Sequence, residues 1–154
     1  MGDPAAERPL ESWPDALEAA CARTRLFRHV RVVRETGSTQ DAALHLGLSA
    51  GSLVTAGRQV HGRGRLGAAW ADTAGEGVAC TFTVEPLAPE RLAMSAAVAV
   101  ASAARACVPE GSRERLGLKW PNDLQASWAD GSRRKVAGAL RSEEHTSELQ
   151  SRFG

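Results

Sequence analysis

Gly62-Arg63-Gly64-Arg65-Leu66-Gly67 lies between a β-like run, Ser52 to Gln59, and a turn-rich segment around Trp70. Glycine has no Cβ atom, so the backbone can adopt positive φ angles and approach a ligand closely. The two arginines carry permanent positive charge and planar donor groups that match a carboxylate or a phosphate. Arg58 and His61 add to the same basic region. The stretch is therefore typical of a loop that closes over an anion.

Three other interpretations of this loop remain open. Gly62, Gly64 and Gly67 also fit the dinucleotide pattern G-x-G-x-x-G, but that pattern must open a helix, and residues 68–75 favour a loop. A nucleic-acid-binding arm would need repetition and interleaved aromatic residues, which are missing here. The third alternative is a solvated loop that binds nothing.

Size, charge and cysteine usage restrict the class of protein. The 154 residues predict one domain, and 43% hydrophobic with 24% charged residues is ordinary for a globular chain. A net charge of +1 gives no general attraction to nucleic acid or to a membrane surface. The three scattered cysteines, Cys21, Cys80 and Cys107, favour a reducing compartment over a disulfide framework. We therefore expect a cytoplasmic protein.

Targeting and membrane segments are not expected. The first thirty residues lack the apolar core of a signal peptide. The longest apolar segment, 93–108, is too short to span a bilayer and is interrupted by Arg105.

Periodicity and turn signals predict a chain that mixes strands with helices. Helices are predicted at 15–24, 40–48 and 90–107, and strands at 29–34, 52–59, 78–84, 116–120, 124–128 and 135–140. The turn residues 129–132 between the last two strands predict a hairpin. Residues 1–28 are interpreted as a leader followed by a short helix.

Two further motifs lie in the second half of the chain. Residues 119–123, Lys-Trp-Pro-Asn-Asp, place a lysine, an amide and a carboxylate at a strand end, where functional groups often lie. Asp123 could hold Mg²⁺ or could simply cap a turn. Residues 135–138, Lys-Val-Ala-Gly, begin a strand in which Gly138 would allow a close approach by a ligand or another backbone.

The fourth motif is made of small hydrogen-bonding groups at the ends of elements. Ser38 and Thr39 precede a predicted helix, and Gln59 ends a predicted strand. Such groups can recognise a polar ring, but they also serve as a helix cap and a surface amide.

In this order and spacing, the four motifs resemble the biotin protein ligases (biotin–[acetyl-CoA-carboxylase] ligases), from about Glu35 to Leu140. Gln40 and His61 are mild departures from the family pattern. The resemblance implies an α+β fold, a mixed β-sheet flanked by helices that is related to class II aminoacyl-tRNA synthetases and would be incomplete here. It also implies a two-step reaction. Biotin and MgATP give biotinyl-5′-AMP and pyrophosphate, and the adenylate then acylates a lysine of a biotin carboxyl carrier domain of a carboxylase.

The resemblance also implies a role for each motif residue. Neutralisation of charge during catalysis is expected from Arg63, Arg65 and Lys135. The expected biotin-binding residues are Ser38, Thr39, Gln59, Gly62, Arg63 and Lys135. ATP and the adenylate are expected to contact Arg65, Trp70, Lys119, Asn122 and Asp123, with Asp123 as the Mg²⁺ ligand.

The catalytic region is expected to span residues 29–140 and to be shorter than the family's whole catalytic domain. From Arg141 the composition becomes rich in Ser, Glu, His, Thr and Gln. The amino-acid sequence there resembles the translation of one reading frame of a common DNA-sequencing adaptor. We therefore expect residues 141–154 to be a non-native tail, with a genuine polar tail as the alternative. No DNA-binding helix-turn-helix fits before Ser38, and the shortened chain is expected to be unstable or inactive.

Two other function classes remain open at this point. One is a lipoate or octanoyl transfer enzyme of the same fold. The other is a non-catalytic module that binds a nucleotide or nucleic acid through the basic loop. A steep decrease of nucleic-acid affinity with salt concentration would indicate this class.

Overall fold

A computed structural model describes residues 9–64, 66, 68–70 and 77–141. The chain divides into two compact units, Met1–Pro86 and Leu87–Gly154. Within the described residues, no helix is both long and apolar enough to cross a membrane. The predictions for Arg65, Gly67 and the tail from residue 142 onward lie outside the described residues.

In its described residues, the first unit contains two α-helices and five strands. After a 3₁₀ turn at Leu10–Ser12, its elements are α1 (Trp13–Thr24), β1 (His29–Thr36), α2 (Thr39–His45), β2 (Ser52–Gln59), β3 (Gly62–Arg63), β4 (Ala69–Trp70) and β5 (Ala79–Thr83). The central strand β2 has the predicted bounds. The segment predicted as a loop after residue 67 contains the short strand β4, which pairs antiparallel with β3. The dinucleotide interpretation is not supported, because Ala69–Trp70 forms a strand where that motif requires a helix.

The main sheet of this unit has the order β1-β2-β5, with β1 parallel and β5 antiparallel to β2. A mixed sheet was predicted, and it is confirmed. Val30 and Leu53 are paired across the β1–β2 ladder and pack with Cys21 of α1. The first five residues of β2 are all buried, which explains why its sequence does not alternate between polar and apolar side chains.

Parallel pairing of β1 with β2 determines where the ends of these strands lie. A parallel pair needs a crossover of about a dozen residues or more, and α2 with its flanking turns provides it. The Ser38 hydroxyl caps α2 by accepting a hydrogen bond from the Gln40 backbone N–H at 3.2 Å. The carboxyl ends of both strands consequently lie at the same edge, with Thr36 paired beside Gln59.

The second unit contains one long helix and an antiparallel sheet. Its elements are α3 (Pro89–Cys107), a 3₁₀ helix at Glu110–Arg115, β6 (Leu116–Lys119), β7 (Asp123–Ser127) and β8 (Arg133–Gly138). The strand order is β6-β7-β8. Leu116 and Leu124 pack against Ala101 of α3, and Leu124 is only 1% exposed. The hairpin predicted between β7 and β8 is present, with Gly131 at a φ of 79°.

The core of the second unit can be tested at Leu124. Leu124→Ala is expected to lower the free energy of unfolding by about 2–5 kcal/mol, because it removes buried methyl groups and leaves a cavity. Leu118→Ala is the matched control, since Leu118 is paired with Leu124 but is 51% exposed. Leu118→Ala should lower the free energy of unfolding by about 1 kcal/mol or less. Urea denaturation measures both, and equal losses would contradict this assignment of the core.

Candidate functional site

The first cluster of predicted residues lies at the shared carboxyl edge of β1 and β2. Gln59 Oε1 accepts two hydrogen bonds from Thr39, one from the backbone N–H at 2.9 Å and one from Oγ1 at 3.2 Å. Ser38 and Thr39 are each 3% exposed. The start of α2 and the end of β2 are therefore joined by partly buried hydrogen bonds. The structure brings together the three residues predicted to hold a polar ring.

Sequence reasoning missed a fourth hydroxyl in this cluster. Thr81 of β5 donates a hydrogen bond from its Oγ1 to Thr39 Oγ1 at 2.9 Å. Its place depends on the β2–β5 register, in which Thr81 pairs with Val54. No local signal distinguishes Thr81 from Thr83, which lies on the same face of the strand, so the register itself was needed to find it.

Gly62 has a packing role that the sequence did not predict, while its contact with biotin stays a prediction. A Cβ atom at this position would lie 2.7 Å from the Trp70 carbonyl oxygen and 2.9 Å from Gln59 Nε2. Neither Gly62 nor Gly64 has a positive φ angle, whereas Leu66 does, at 57°. The expectation that these two glycines supply unusual torsion angles is wrong. At Gly62 the absence of a side chain instead leaves room for the Gln59 amide and the neighbouring strand β4.

The Arg63 guanidinium is paired with a carboxylate that sequence reasoning also missed. Arg63 NH2 lies 2.6 Å from Asp41 Oδ1, and it also reaches Gln40 Oε1 at 3.5 Å. The Arg63 and Asp41 side chains are 41% and 42% exposed. Exposed pairs of this kind contribute about 1 kcal/mol or less, so a ligand anion can replace Asp41 at little cost.

The second cluster belongs to the other unit and depends on a β-bulge. Leu124 pairs with Ala137 and Gln125 pairs with Lys135, so Val136 is an extra residue in β8. Side chains alternate between the faces of a strand, and one extra residue reverses that alternation. Lys135 is thereby moved to the face that carries Asp123, which is opposite to the face packed on α3.

Lys135 and Asp123 form a close ion pair on this face. Lys135 Nζ lies 2.7 Å from Asp123 Oδ1, with side-chain exposures of 35% and 22%. The Asp123 oxygen is buried, and the ion pair with Lys135 offsets the cost of burying its charge. A Cβ atom at Gly138 would lie 2.9 Å from Lys135 Cε and 3.2 Å from Asp123 Oδ1. Gly138 therefore leaves the space in which the pair forms.

The remaining motif residues of the second unit flank this pair. Lys119 ends β6 and is paired with Asp123 across the β6–β7 ladder. The Asn122 side chain donates to the Ala139 carbonyl at 2.6 Å, and the Ala139 N–H donates back to the Asn122 carbonyl at 2.9 Å. Asn122 thus ties the turn before β7 to the end of β8. Trp120 is 72% exposed and packs little within the unit.

Comparison with protein families decides the affiliation. A profile described as the biotin/lipoate A/B protein ligase family matches residues 30–152. The chain belongs to this family. The resemblance drawn from the four motifs is confirmed, and so is the predicted fold class.

Individual relatives support the biotin branch of the family. The chain is 39% identical over 116 residues to a biotin–[acetyl-CoA-carboxylase] ligase of Paracoccus denitrificans, covering 71% of this chain and 45% of the relative. It is 31% identical over 97 residues to the bifunctional ligase/repressor BirA of Bacillus subtilis (strain 168), covering 60% of this chain and 29% of that protein.

A solved structure gives the same affiliation. The biotin protein ligase from Aquifex aeolicus in complex with biotin and ATP matches with a TM-score of 0.62 and 30% identity, covering 75% of this chain and 47% of that one. The chain therefore spans less than half the length of each of these relatives.

The predicted magnesium site is compatible with the residues of this family member but is not a metal cage. Among the described residues, no group of three or more His, Cys, Asp and Glu side chains could hold a metal ion. Mg²⁺ is often bound by only one or two carboxylates together with substrate phosphates. The Asp123 carboxylate fits that chemistry, with Lys135 as its present partner. Asp123 as a Mg²⁺ ligand stays a prediction.

The packing at Gly62 gives a direct test of the first cluster. Gly62→Ala is expected to lower the free energy of unfolding by about 1–3 kcal/mol, because the new methyl group meets a backbone carbonyl that cannot easily move. Gly117→Ala is the control: Gly117 is also in a strand, but a Cβ there has nothing within 4 Å. Denaturant unfolding compares the two variants. A Gly62→Ala protein as stable as Gly117→Ala would show that the space at Gly62 is not needed.

Proposed function

We propose that this chain provides biotin- and ATP-binding residues of a ligase that forms biotinyl-5′-AMP and transfers biotin to a lysine of a biotin carboxyl carrier domain. The observation that carries the proposal is the buried contact between Thr39 and Gln59 beside Arg63, in a chain 39% identical to a biotin–[acetyl-CoA-carboxylase] ligase. The solved relative bound to biotin and ATP supports the same pair of substrates.

The proposed biotin site combines neutral and charged groups. Ser38, Thr39 and Gln59 hydrogen-bond the ureido ring, and Gly62 leaves the space that the Gln59 amide needs. Because Gln59 is already held by Thr39, little side-chain entropy is lost when the ring binds. Arg63 exchanges its contact with Asp41 for an anionic group of the substrates.

Catalysis of the first step is proposed to be mainly electrostatic. The biotin carboxylate attacks the α-phosphate of ATP, the bond to the β-phosphate breaks, and pyrophosphate leaves. Two anions therefore approach each other, and negative charge builds up on the phosphate oxygens. Arg63, Arg65 and Lys135 are proposed to offset that charge. Lys135 is suited to this because the bulge in β8 and the carboxylate of Asp123 hold its ammonium in place.

Each residue predicted to bind the nucleotide keeps a proposed role. Trp70 packs on the adenine ring, while Lys119, Asn122 and Arg65 contact the phosphates or the adenylate. When Mg²⁺ is bound, it supplies positive charge to the phosphates, and Asp123 is the residue that would hold it.

The proposed cellular setting is the cytoplasm, where carboxylase carrier domains would be the protein partner. The free thiols of Cys21, Cys80 and Cys107 are consistent with a reducing compartment. A DNA partner is not proposed.

Lys135→Gln tests the charge at the centre of the proposal. It is expected to weaken binding of biotin or of a non-hydrolysable biotinyl-adenylate analogue by about 10- to 100-fold, the loss expected for a hydrogen bond to a charged group. Arg133→Gln is the control, because Arg133 is an exposed cation on the same strand outside the cluster. Calorimetric titration measures both. Binding of lipoate in place of biotin would favour the lipoate branch of the family, and equal effects of the two variants would argue against Lys135.

Turnover by the 154-residue chain is a separate question, and its inactivity stays a prediction. The chain is incubated with biotin, MgATP and a carrier domain, with pyrophosphate release and carrier biotinylation as readouts. We expect biotin to bind without measurable transfer. Robust biotinylation would contradict the predicted inactivity, and a folded chain that binds neither biotin nor ATP would contradict the proposed function.

A further inference from the structure

We infer that Thr81 is a positioning residue that orients Thr39 and Gln59 for ligand recognition, an inference that rests on the proposed role of these two residues in binding biotin. Thr81 lies on β5, outside every motif that the sequence analysis singled out.

The polarity of the cluster follows from the backbone. The Thr39 N–H can only donate, so the atom of Gln59 that faces it at 2.9 Å must be the carbonyl oxygen Oε1. The same oxygen can only accept, so the Thr39 hydroxyl, 3.2 Å away, donates its proton to it. Because the Thr39 hydroxyl has used its proton in this way, it can only accept a further hydrogen bond. Thr81 Oγ1, 2.9 Å away, donates that bond.

Thr81 therefore selects one rotational state of a buried hydroxyl. Thr39 is 3% exposed, so bulk water does not supply a replacement donor readily. Without the Thr81 proton, the Thr39 hydroxyl can turn away from Gln59, and the amide then loses one of the bonds that orient it. Each bond that is lost leaves the amide freer to rotate about its remaining contacts.

The space around the Gln59 amide makes its orientation important. Gln59 Nε2 lies where a Cβ atom of Gly62 would be only 2.9 Å away, and the Trp70 carbonyl lies 2.7 Å from the same point. An amide that swings in this confined place alters both its own hydrogen-bonding direction and its packing on the β3–β4 ladder. Thr81 thus connects a third element, β5, to groups on α2 and β2 that are proposed to touch the ligand.

The neighbouring Thr83 provides a matched comparison. It lies two residues further on the same strand face, and its hydroxyl donates to the Ser49 carbonyl at 2.6 Å and accepts from the Ser52 N–H at 3.0 Å. These bonds stabilise the turn before β2 and do not reach Gln59. Thr83→Val therefore removes an equivalent hydroxyl without touching the cluster.

The test uses the full chain with Thr81→Val, Thr81→Ser and Thr83→Val, after circular dichroism and thermal unfolding have established that each variant folds. The first readout is the NMR order parameter of the Gln59 side-chain amide, which needs no ligand. The second is the affinity for biotin and, separately, for ATP, by calorimetry. Thr81→Val is expected to lower the order parameter and to weaken biotin binding roughly 3- to 10-fold, with ATP affinity unchanged. Thr81→Ser should restore both values.

The two readouts separate failure of this inference from failure of the proposed function. If the Gln59 order parameter in Thr81→Val equals that of the unaltered chain or of Thr83→Val, the positioning role is overturned. A loosened Gln59 with unchanged biotin affinity overturns its importance for recognition. If the unaltered chain binds no biotin, the proposed function fails, while the order parameter still decides whether Thr81 positions Gln59.

Discussion

Parallel pairing between β1 and β2 is the constraint on which the first cluster depends. Two parallel neighbours must be joined by a crossover, and their carboxyl ends must then lie at one edge. Here the crossover begins with Ser38, the cap of α2, so Thr39, the first residue of the helix, lies directly beside the last residue of β2, Gln59. The same turn that satisfies the helix end also presents hydrogen-bonding groups at the sheet edge. Fold and candidate site are in this sense one arrangement.

In the second unit, a β-bulge in β8 brings the candidate residues Lys135 and Asp123 together. In a regular β8, Lys135 would lie on the face that carries Leu124, which is buried against α3. The extra residue Val136 avoids burying an ammonium in that core, where an unpaired charge would be costly. It also brings the ammonium to Asp123. A single bulge therefore protects the core and creates the charged pair.

Much of this arrangement could be predicted from local patterns. Residues only a few positions apart determine the bounds of β2 and the turn at Gly131. The same is true of α1 and α3, each of which has a proline in its first turn. The order of the four motifs was enough to recognise the family, which the comparisons confirm.

What the sequence did not reveal depends on register and on packing across elements. Thr81 and Asp41 acquire their roles only through contacts 42 and 22 residues away along the chain. The bulge at Val136 has no sequence signal of its own, because lysine, valine and alanine alternate as in any exposed strand. Gly62 was expected to supply backbone freedom, but what it supplies is space for an amide. Such effects depend on which atoms meet, and local propensity carries no information about that.

The two cationic residues differ in how firmly their carboxylates hold them. The Arg63–Asp41 pair is about two-fifths exposed, so water screens it and either partner can be released with little loss. The Lys135–Asp123 pair is less exposed and rests over Gly138, where removal of either charge would leave the other poorly solvated. An incoming anion is therefore expected to displace Asp41 from Arg63 more readily than it displaces Asp123 from Lys135. The arginine is suited to capturing an anion, whereas the lysine and its carboxylate are suited to staying in place while the chemistry occurs around them.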